Sequence, residues 1–226
     1  IAWWLILSIP LLKNVKQTHY LEHQPQLLKT SVSRVINTVK DIRKNPKIMY
    51  YILAYFFYID GVYTIISMAT TYGGEVGIDD TQMLLALLLT QFVAFPFAIF
   101  SISFAKKYGV LNVIKKFVLL YAVIAVFGFF LEHAWQFWTL AIMIGIAQGG
   151  IQSLSRSYFG QIIPKEKSNE YFGFFDIFGK FADFMGPLII ALSSIMLGES
   201  RYGVLLLVVL FIVGYVLLGK VQQYEE

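Results

Sequence analysis

The chain has 226 residues, 58% hydrophobic and 17% aromatic, with only 14% charged and a mean hydropathy of +0.66. A soluble domain carries about 25% charged residues and cannot leave this much apolar surface in water. The composition therefore excludes a soluble fold and points to a polytopic integral membrane protein in a lipid bilayer. The net charge of +4 reads as loop charge that sets topology, not as a nucleic-acid-binding face. With no cysteine there is no disulfide framework and no thiolate metal site.

The chain opens on Ile1–Leu12, an apolar run too short for a span of about 20 residues. It lacks the basic start and small-residue cleavage site of a signal peptide. It reads as the end of a cut transmembrane helix, so that the chain would be the C-terminal part of a longer protein. Residues 13–47 follow as a linker. Within it Leu28, Val32, Val35, Val39 and Ile42 recur at helical spacing, with Lys29, Arg34, Lys40 and Arg43 on the other face. Such an amphipathic helix suits the cytoplasmic headgroups or the protein's own cytoplasmic face.

Six apolar runs long enough to span come next, at Ile48–Thr71, Met83–Ala105, Phe117–Leu131, Trp135–Ser157, Tyr171–Leu197 and Tyr202–Lys220. The third is short unless it starts near Val110. All are predicted helical, because backbone groups in lipid must be satisfied within the segment. The expected class is an all-α transmembrane bundle, with residues 48–220 as its six-helix body and 221–226 as a tail. The Gly73-Gly74 pair reads as a turn.

Basic residues alternate across the connections. Residues 13–47 hold eight, the stretch from Lys106 to Lys116 four, and that from Arg156 to Lys167 three; the opposite loops hold a single one, Arg201. By the positive-inside rule the basic-rich side, including the linker and the C-terminus, is predicted to be cytoplasmic.

Polar content separates the spans. The third and sixth are nearly bare and are predicted to face lipid. The first carries Asp60, the second Gln91, the fourth Gln148, Gln152, Ser153, Ser155 and Arg156, and the fifth Asp176, Lys180 and Asp183. These four should face the bundle interior or a water-filled cavity, because ionisable groups in lipid are costly. Asp176, Lys180 and Asp183 fall within roughly 40° of one another on one helical face. Asp60 and Asp183 each sit about 18 Å in from the cytoplasmic end of their spans, near the midplane.

Two readings of each charge stand side by side. Asp176 pairs with Lys180 one turn on, or with Arg156 at a cytoplasmic gate. Asp60 caps a helix break at Asp60-Gly61, or it binds a proton or coupling ion. Asp183, left as a buried unpaired carboxylate, is the second candidate proton carrier. Gln148, Gln152 and Gln91 are candidate solute contacts. Gly145-x₃-Gly149 fits close helix packing. No enzyme constellation is seen: His19, His23 and His133 have no partner at metal-ligand spacing, and no nucleophile motif or phosphate loop is present. No metal or cofactor is expected.

Gln152-SLSRS-Ser157, Ile163-Pro164, Glu170-YFG-Gly173, Gly179-KF-Phe181 and Gly186-PL-Leu188 resemble one branch of the major facilitator superfamily. That branch includes bacterial transporters of unknown substrate and fungal vacuolar amino-acid effluxers of autophagy. The run from Tyr55 to Gly73, with Asp60-Gly61, is similar to the same branch. The resemblance implies the C-terminal half of a twelve-helix transporter, with Ile1–Leu12 ending helix six and the spans as helices seven to twelve. It also implies that helices seven and ten line the cavity while nine and twelve face outward. Lys106 stands where the superfamily's loop motif carries Asp, which departs from that motif's charge-relay gate.

The implied function is secondary active transport of small organic solutes, amino acids among them, by alternating access with ion or proton coupling. The cytoplasmic membrane of a bacterium is the implied location. A missing N-terminal half, or a second copy of this one, is the implied partner. The alternative is a non-transporting receptor subunit that kept the fold and engages a partner or anionic lipid through its basic linker.

Overall fold

The computed structural model describes residues 2–15 and 27–224. His19, His23, residues 16–26 of the expected linker, Ile1 and the final 225–226 lie outside the described residues. The chain divides into two compact units, residues 1–36 and 37–226. The first holds α1 (Ala2–Asn14) and the beginning of α2 (Leu27–Lys44). In α1 the Ser8 hydroxyl donates to the Trp4 carbonyl at 2.9 Å, and Trp4, Ile6 and Leu12 are exposed.

The second unit holds the rest of α2 and six long helices: α3 (Pro46–Glu75), α4 (Asp80–Tyr108), α5 (Val110–Phe129), α6 (Ala134–Ile162), α7 (Ser168–Leu197) and α8 (Arg201–Gln222). One 3₁₀ turn, Lys165–Lys167, leads into α7. All six are long and apolar enough to cross a membrane. The protein is an all-α, multi-pass integral membrane bundle, as the hydropathy pattern requires. The short third span does begin at Val110.

Local chemistry sets the ends. Asn45 accepts the Ile48 amide at 3.4 Å with Pro46 in the first turn, and Asp79 accepts the Thr81 amide at 2.9 Å. Both serve amide donors that a helix start leaves without partners. The predicted turn at Gly73-Gly74 is overturned. Both glycines lie in the last turns of α3, and the chain reverses three residues after Gly74, where Gly77 has a φ of 86°. Gly73 is small because Met83 and Phe137 pack against it there.

Small residues let the helices approach. Gly145 meets the Thr90 carbonyl and Val93 of α4, and Gly149 lies against the Ala94 carbonyl and the Ala98 amide. The Thr90 hydroxyl crosses to the Ala141 carbonyl at 3.2 Å. The Gly145-x₃-Gly149 pair is thus a packing seam between α6 and α4. On the other side, Gly61 and Gly214 seat α8 against α3, with Phe211 over Gly61 and stacked on Tyr121 of α5 at 5.7 Å.

Of the two settings expected for the polar groups of the second and fifth spans, the bundle interior is not the one occupied here. Gln91, Lys180 and Asp183 are exposed, on helices that also expose Phe92, Phe95, Phe181 and Phe184. The inward faces of α4 and α7 are taken by smaller or aromatic groups: Ala86, Thr90 and Ala94 on one, Phe175, Ala182 and Gly186 on the other. The bare sixth span exposes Leu206, Val209, Ile212 and Val216 on one face only; its other face packs on α3 and α5.

Gly149→Leu should drive a side chain into the α4 backbone and destabilise the bundle by roughly 1–3 kcal/mol. Gly219→Ala, with nothing within 4 Å, should leave stability unchanged or slightly raised. Thermal unfolding of the two variants in detergent checks the difference.

Candidate functional site

Asp60 is the one charged side chain buried among the described residues, at 0% exposure. Helix α3 runs through it without a break, so the reading of Asp60 as a cap on a helix break is overturned. The carboxylate reaches sideways instead. Its Oδ1 accepts the Gly186 amide of α7 at 3.0 Å, while Oδ2 is buried and has no hydrogen-bond partner.

Thr64 lies one turn further along α3, also fully buried, and its Oγ1 has no partner either. It presses so closely on Gly186 that a Cβ there would overlap the Thr64 hydroxyl. Pro187 follows inside the helix. Proline has no amide hydrogen, so the Asp183 carbonyl, four residues back, is left without its helical donor. Two unpartnered buried side-chain oxygens therefore lie at the α3–α7 crossing, one turn from a carbonyl that Pro187 leaves without its helical donor.

The Asp183 carboxylate is exposed, one turn before Gly186, yet near enough to act electrostatically on Asp60. The expectation that Asp183 is the buried unpaired carboxylate is overturned; that description belongs to Asp60. The reason is rotational. Ala182 and Gly186 occupy the buried face of α7, and Asp183 lies about 100° round from Ala182.

Toward the end of the bundle where α6 finishes and α7 begins, Arg156 donates to both Asp176 oxygens, at 2.8 and 3.5 Å. Both side chains are about half exposed, at 55% and 45%. The guanidinium also sits over the Phe172 ring, 5.7 Å from its centre. Of the two readings of Asp176, the structure has the pairing across to α6. Lys180 is exposed and ion-pairs with neither carboxylate of its own helix.

Beside Arg156, Ser155 is a buried junction that sequence reasoning did not single out as one. The Tyr51 hydroxyl donates to its carbonyl at 2.8 Å, and Tyr58 shares a hydrogen bond with its hydroxyl at 2.7 Å. Tyr55 stacks on Phe175, which stacks on Phe159. The Gln-Ser-x-Ser-Arg-Ser run held the signal, since its last Ser-Arg-Ser places a buried hydroxyl next to an exposed cation. Thr64, Gly186 and Pro187 were the other omissions. Thr64 carries no mark except its distance of four residues from Asp60.

Gln148 and Gln152 are half-buried, and the Gln148 Oε1 is buried without a partner. Gln148 precedes Ser155 by two turns on the same face. In an antiparallel pair this puts it about 10 Å from the Ser155 level, near that of Asp60 and Thr64. Gln91 is exposed and away from the α4–α6 seam, so it is not brought together with the other two amides.

The end of α2 belongs to the same bundle. From residue 37 onward its Thr38 hydroxyl donates to Glu170 at 3.2 Å, Lys167 pairs with Asp41 at 2.6 Å, and Ile42 is buried. This part packs on the protein itself and not only on headgroups, although Val35 is exposed. The Lys167 ammonium beside Asp41 holds its carboxyl below the usual carboxylate range, so the pair stays ionised at neutral pH. Among the described residues no three His, Cys, Asp or Glu side chains cluster as metal ligands.

Residues 2–225 match the family model described as "Vacuole effluxer Atg22 like", and the chain belongs to that family of membrane proteins. It is 42% identical over 222 residues to the uncharacterized MFS-type transporter YxiO of Bacillus subtilis, covering 98% of this chain and 52% of that protein. It is 26% identical to autophagy-related protein 22 of Yarrowia lipolytica, covering 93% of this chain and 41% of the relative. Against the Cryptococcus neoformans protein of the same description it is 25% identical, covering 97% and 44%. The chain thus spans about half the length of the curated relatives it matches, and the resemblance read from the Gly186-Pro187 and Ser-Arg-Ser blocks is borne out at family level.

Gly186→Ala should lower the thermal unfolding midpoint, with a cost of roughly 1–3 kcal/mol for the overlap with Thr64. Adding Thr64→Ala should restore part of the loss, and the double-mutant cycle in detergent reads the coupling directly.

Proposed function

We propose that this chain supplies one half of a secondary active transporter that moves small organic solutes across a membrane by alternating access. The observation that carries the reading is Asp60: a carboxylate buried at mid-length of an apolar helix, with one oxygen on a helix backbone and the other unpartnered. Ionisable groups at such depth are kept where charge must cross or be exchanged. In transporters, coupling sites lie near the bilayer midplane where helices are interrupted, and the Gly186-Pro187 step is such an interruption. The names of the relatives, an MFS-type transporter and vacuole effluxers, favour transport over the receptor alternative and over an enzyme.

In this reading Asp60 binds the coupling ion or proton, and Asp183, exposed on the same turn of α7 that Asp60 grips, hands it on. Gln148, Gln152 and Gln91 contact solute in a cavity completed by a further six helices, whether from the same polypeptide or a second copy. Arg156 and Asp176 form a gate at the basic-rich side, which the loop charges assign to the cytoplasm. Residues 1–12 and 13–47 serve as the preceding helix end and the linker, 48–220 as the half-transporter body and 221–226 as a tail. The YxiO relationship supports the cytoplasmic membrane of a bacterium as the location, and amino acids are the first solute class to assay.

Flux assays on the complete gene product in proteoliposomes test this. An imposed pH or sodium gradient should drive labelled solute, and Asp60→Asn with Asp183→Asn should abolish the driven component. Unchanged gradient-driven flux in that double variant would remove both carboxylates from coupling. Charge reversal, Arg156→Asp with Asp176→Arg, should recover flux that either single change reduces.

A further inference from the structure

We infer that the α3–α7 crossing is a binding site for a small monovalent cation, sodium or lithium, formed by Asp60 Oδ2, Thr64 Oγ1 and the main-chain carbonyl of Asp183. The inference rests on the reading of Asp60 as a coupling residue and specifies what it binds. Each donor is an oxygen whose usual partner is missing. Oδ2 of Asp60 and Oγ1 of Thr64 are buried with no hydrogen bond, although buried polar groups are nearly always satisfied. The Asp183 carbonyl lacks its helical amide because residue 187 is proline.

Asp60 and Thr64 both meet α7 at Gly186. Asp60 is anchored by its other oxygen to the Gly186 amide at 3.0 Å, and the Thr64 hydroxyl lies against the Gly186 Cα, where no Cβ would fit. The two helices thus present two orphaned side-chain oxygens against one glycine, and the carbonyl that Pro187 frees belongs to the turn of α7 just before it.

The chemistry of the set chooses the ion. All donors are hard oxygens, which excludes zinc and other metals that favour nitrogen or sulfur. One carboxylate balances one positive charge. Calcium takes six to eight oxygens and magnesium a full octahedron with retained waters, and no cluster of three acidic or histidine side chains is present among the described residues. Carbonyls freed at interrupted membrane helices are known sodium donors. The Asp183 carboxylate, in electrostatic reach of Asp60, adds attraction for a cation from the exposed side. The crowding at Gly186 favours the smaller alkali ions over potassium.

A bound ion would also explain why Gly186 is held so firmly. With the cation present, α3 and the kink of α7 are tied by ligand bonds as well as by one hydrogen bond. Without it, two oxygens face apolar surroundings, and the crossing is free to loosen.

The test uses the purified chain in detergent at constant ionic strength and pH 8 (about four units above an ordinary carboxylate pKa), with sodium, lithium, potassium or choline chloride. Sodium and lithium should raise the thermal unfolding midpoint saturably, potassium and choline should not, and radioactive sodium should bind with matching concentration dependence. Thr64→Val should raise the half-saturating sodium concentration about tenfold or more, and Asp60→Asn should abolish the sodium response. Equal midpoints in all four salts, or a sodium effect that survives both variants, would overturn the inference. A pH response lost in Asp60→Asn without any sodium preference would also overturn it, while leaving proton-coupled transport intact. Sodium binding without gradient-driven flux would instead count against the transport reading and leave the cation site standing.

Discussion

The hydrogen bond from the Gly186 amide to the Asp60 carboxylate is the contact on which the rest of the site depends. It joins the one buried charge among the described residues to the step of α7 where glycine and proline interrupt regular packing. A charge in such surroundings is costly unless held by specific partners. Here one oxygen is held and the other is not, and the proposed role of the crossing rests on that difference. The close approach requires Gly186 to lack a side chain, and Thr64 fills the space that a Cβ would take.

Around that crossing the bundle separates two kinds of contact. The α4–α6 and α3–α8 seams are made by glycines and alanines that bring backbones together, a geometry that gains dispersion contact without needing a hydrophobic driving force in lipid. The contacts of α7 are mixed: Gly186 lies against Thr64, and Gly203 of α8 lies against Ile190 and Ser193, with polar groups added to these. It meets α3 through a carboxylate and an aromatic stack, α6 through the half-exposed Arg156–Asp176 pair, and α2 through Lys167 and Glu170. The half-exposed Arg156–Asp176 pair can exchange with water at low cost, whereas the buried Asp60 contact cannot.

Hydropathy made the six spans legible, because the bilayer's length requirement leaves few alternatives to helices of this size. Helix ends were less so: Asn45, Asp79 and the Gly77 reversal act through local caps that apolar runs do not record. Orientation was the poorest guide. Polar content assigned α4 and α7 to the bundle interior or a water-filled cavity, and it could not separate the two: Gln91 and Asp183 lie on faces directed away from their own bundle. The family resemblance pointed at the correct blocks, including Gly186-Pro187 and Ser155-Arg156, without saying which side chains met. Asp60 was named as a candidate on its residue type and its depth near the midplane, and its partner lay 126 positions away on another helix, beyond any periodicity argument. Thr64 was invisible because a threonine in a membrane helix usually bonds its own backbone.

The central claim is that Asp60 holds the α7 kink through the Gly186 amide, and hydrogen–deuterium exchange on the segment spanning Ala182–Leu192 addresses it directly. Exchange there should be slow in the parent chain and faster in Asp60→Leu, while peptides from the α4–α6 seam keep their protection. Equal exchange of the Ala182–Leu192 segment in the two proteins would contradict the account.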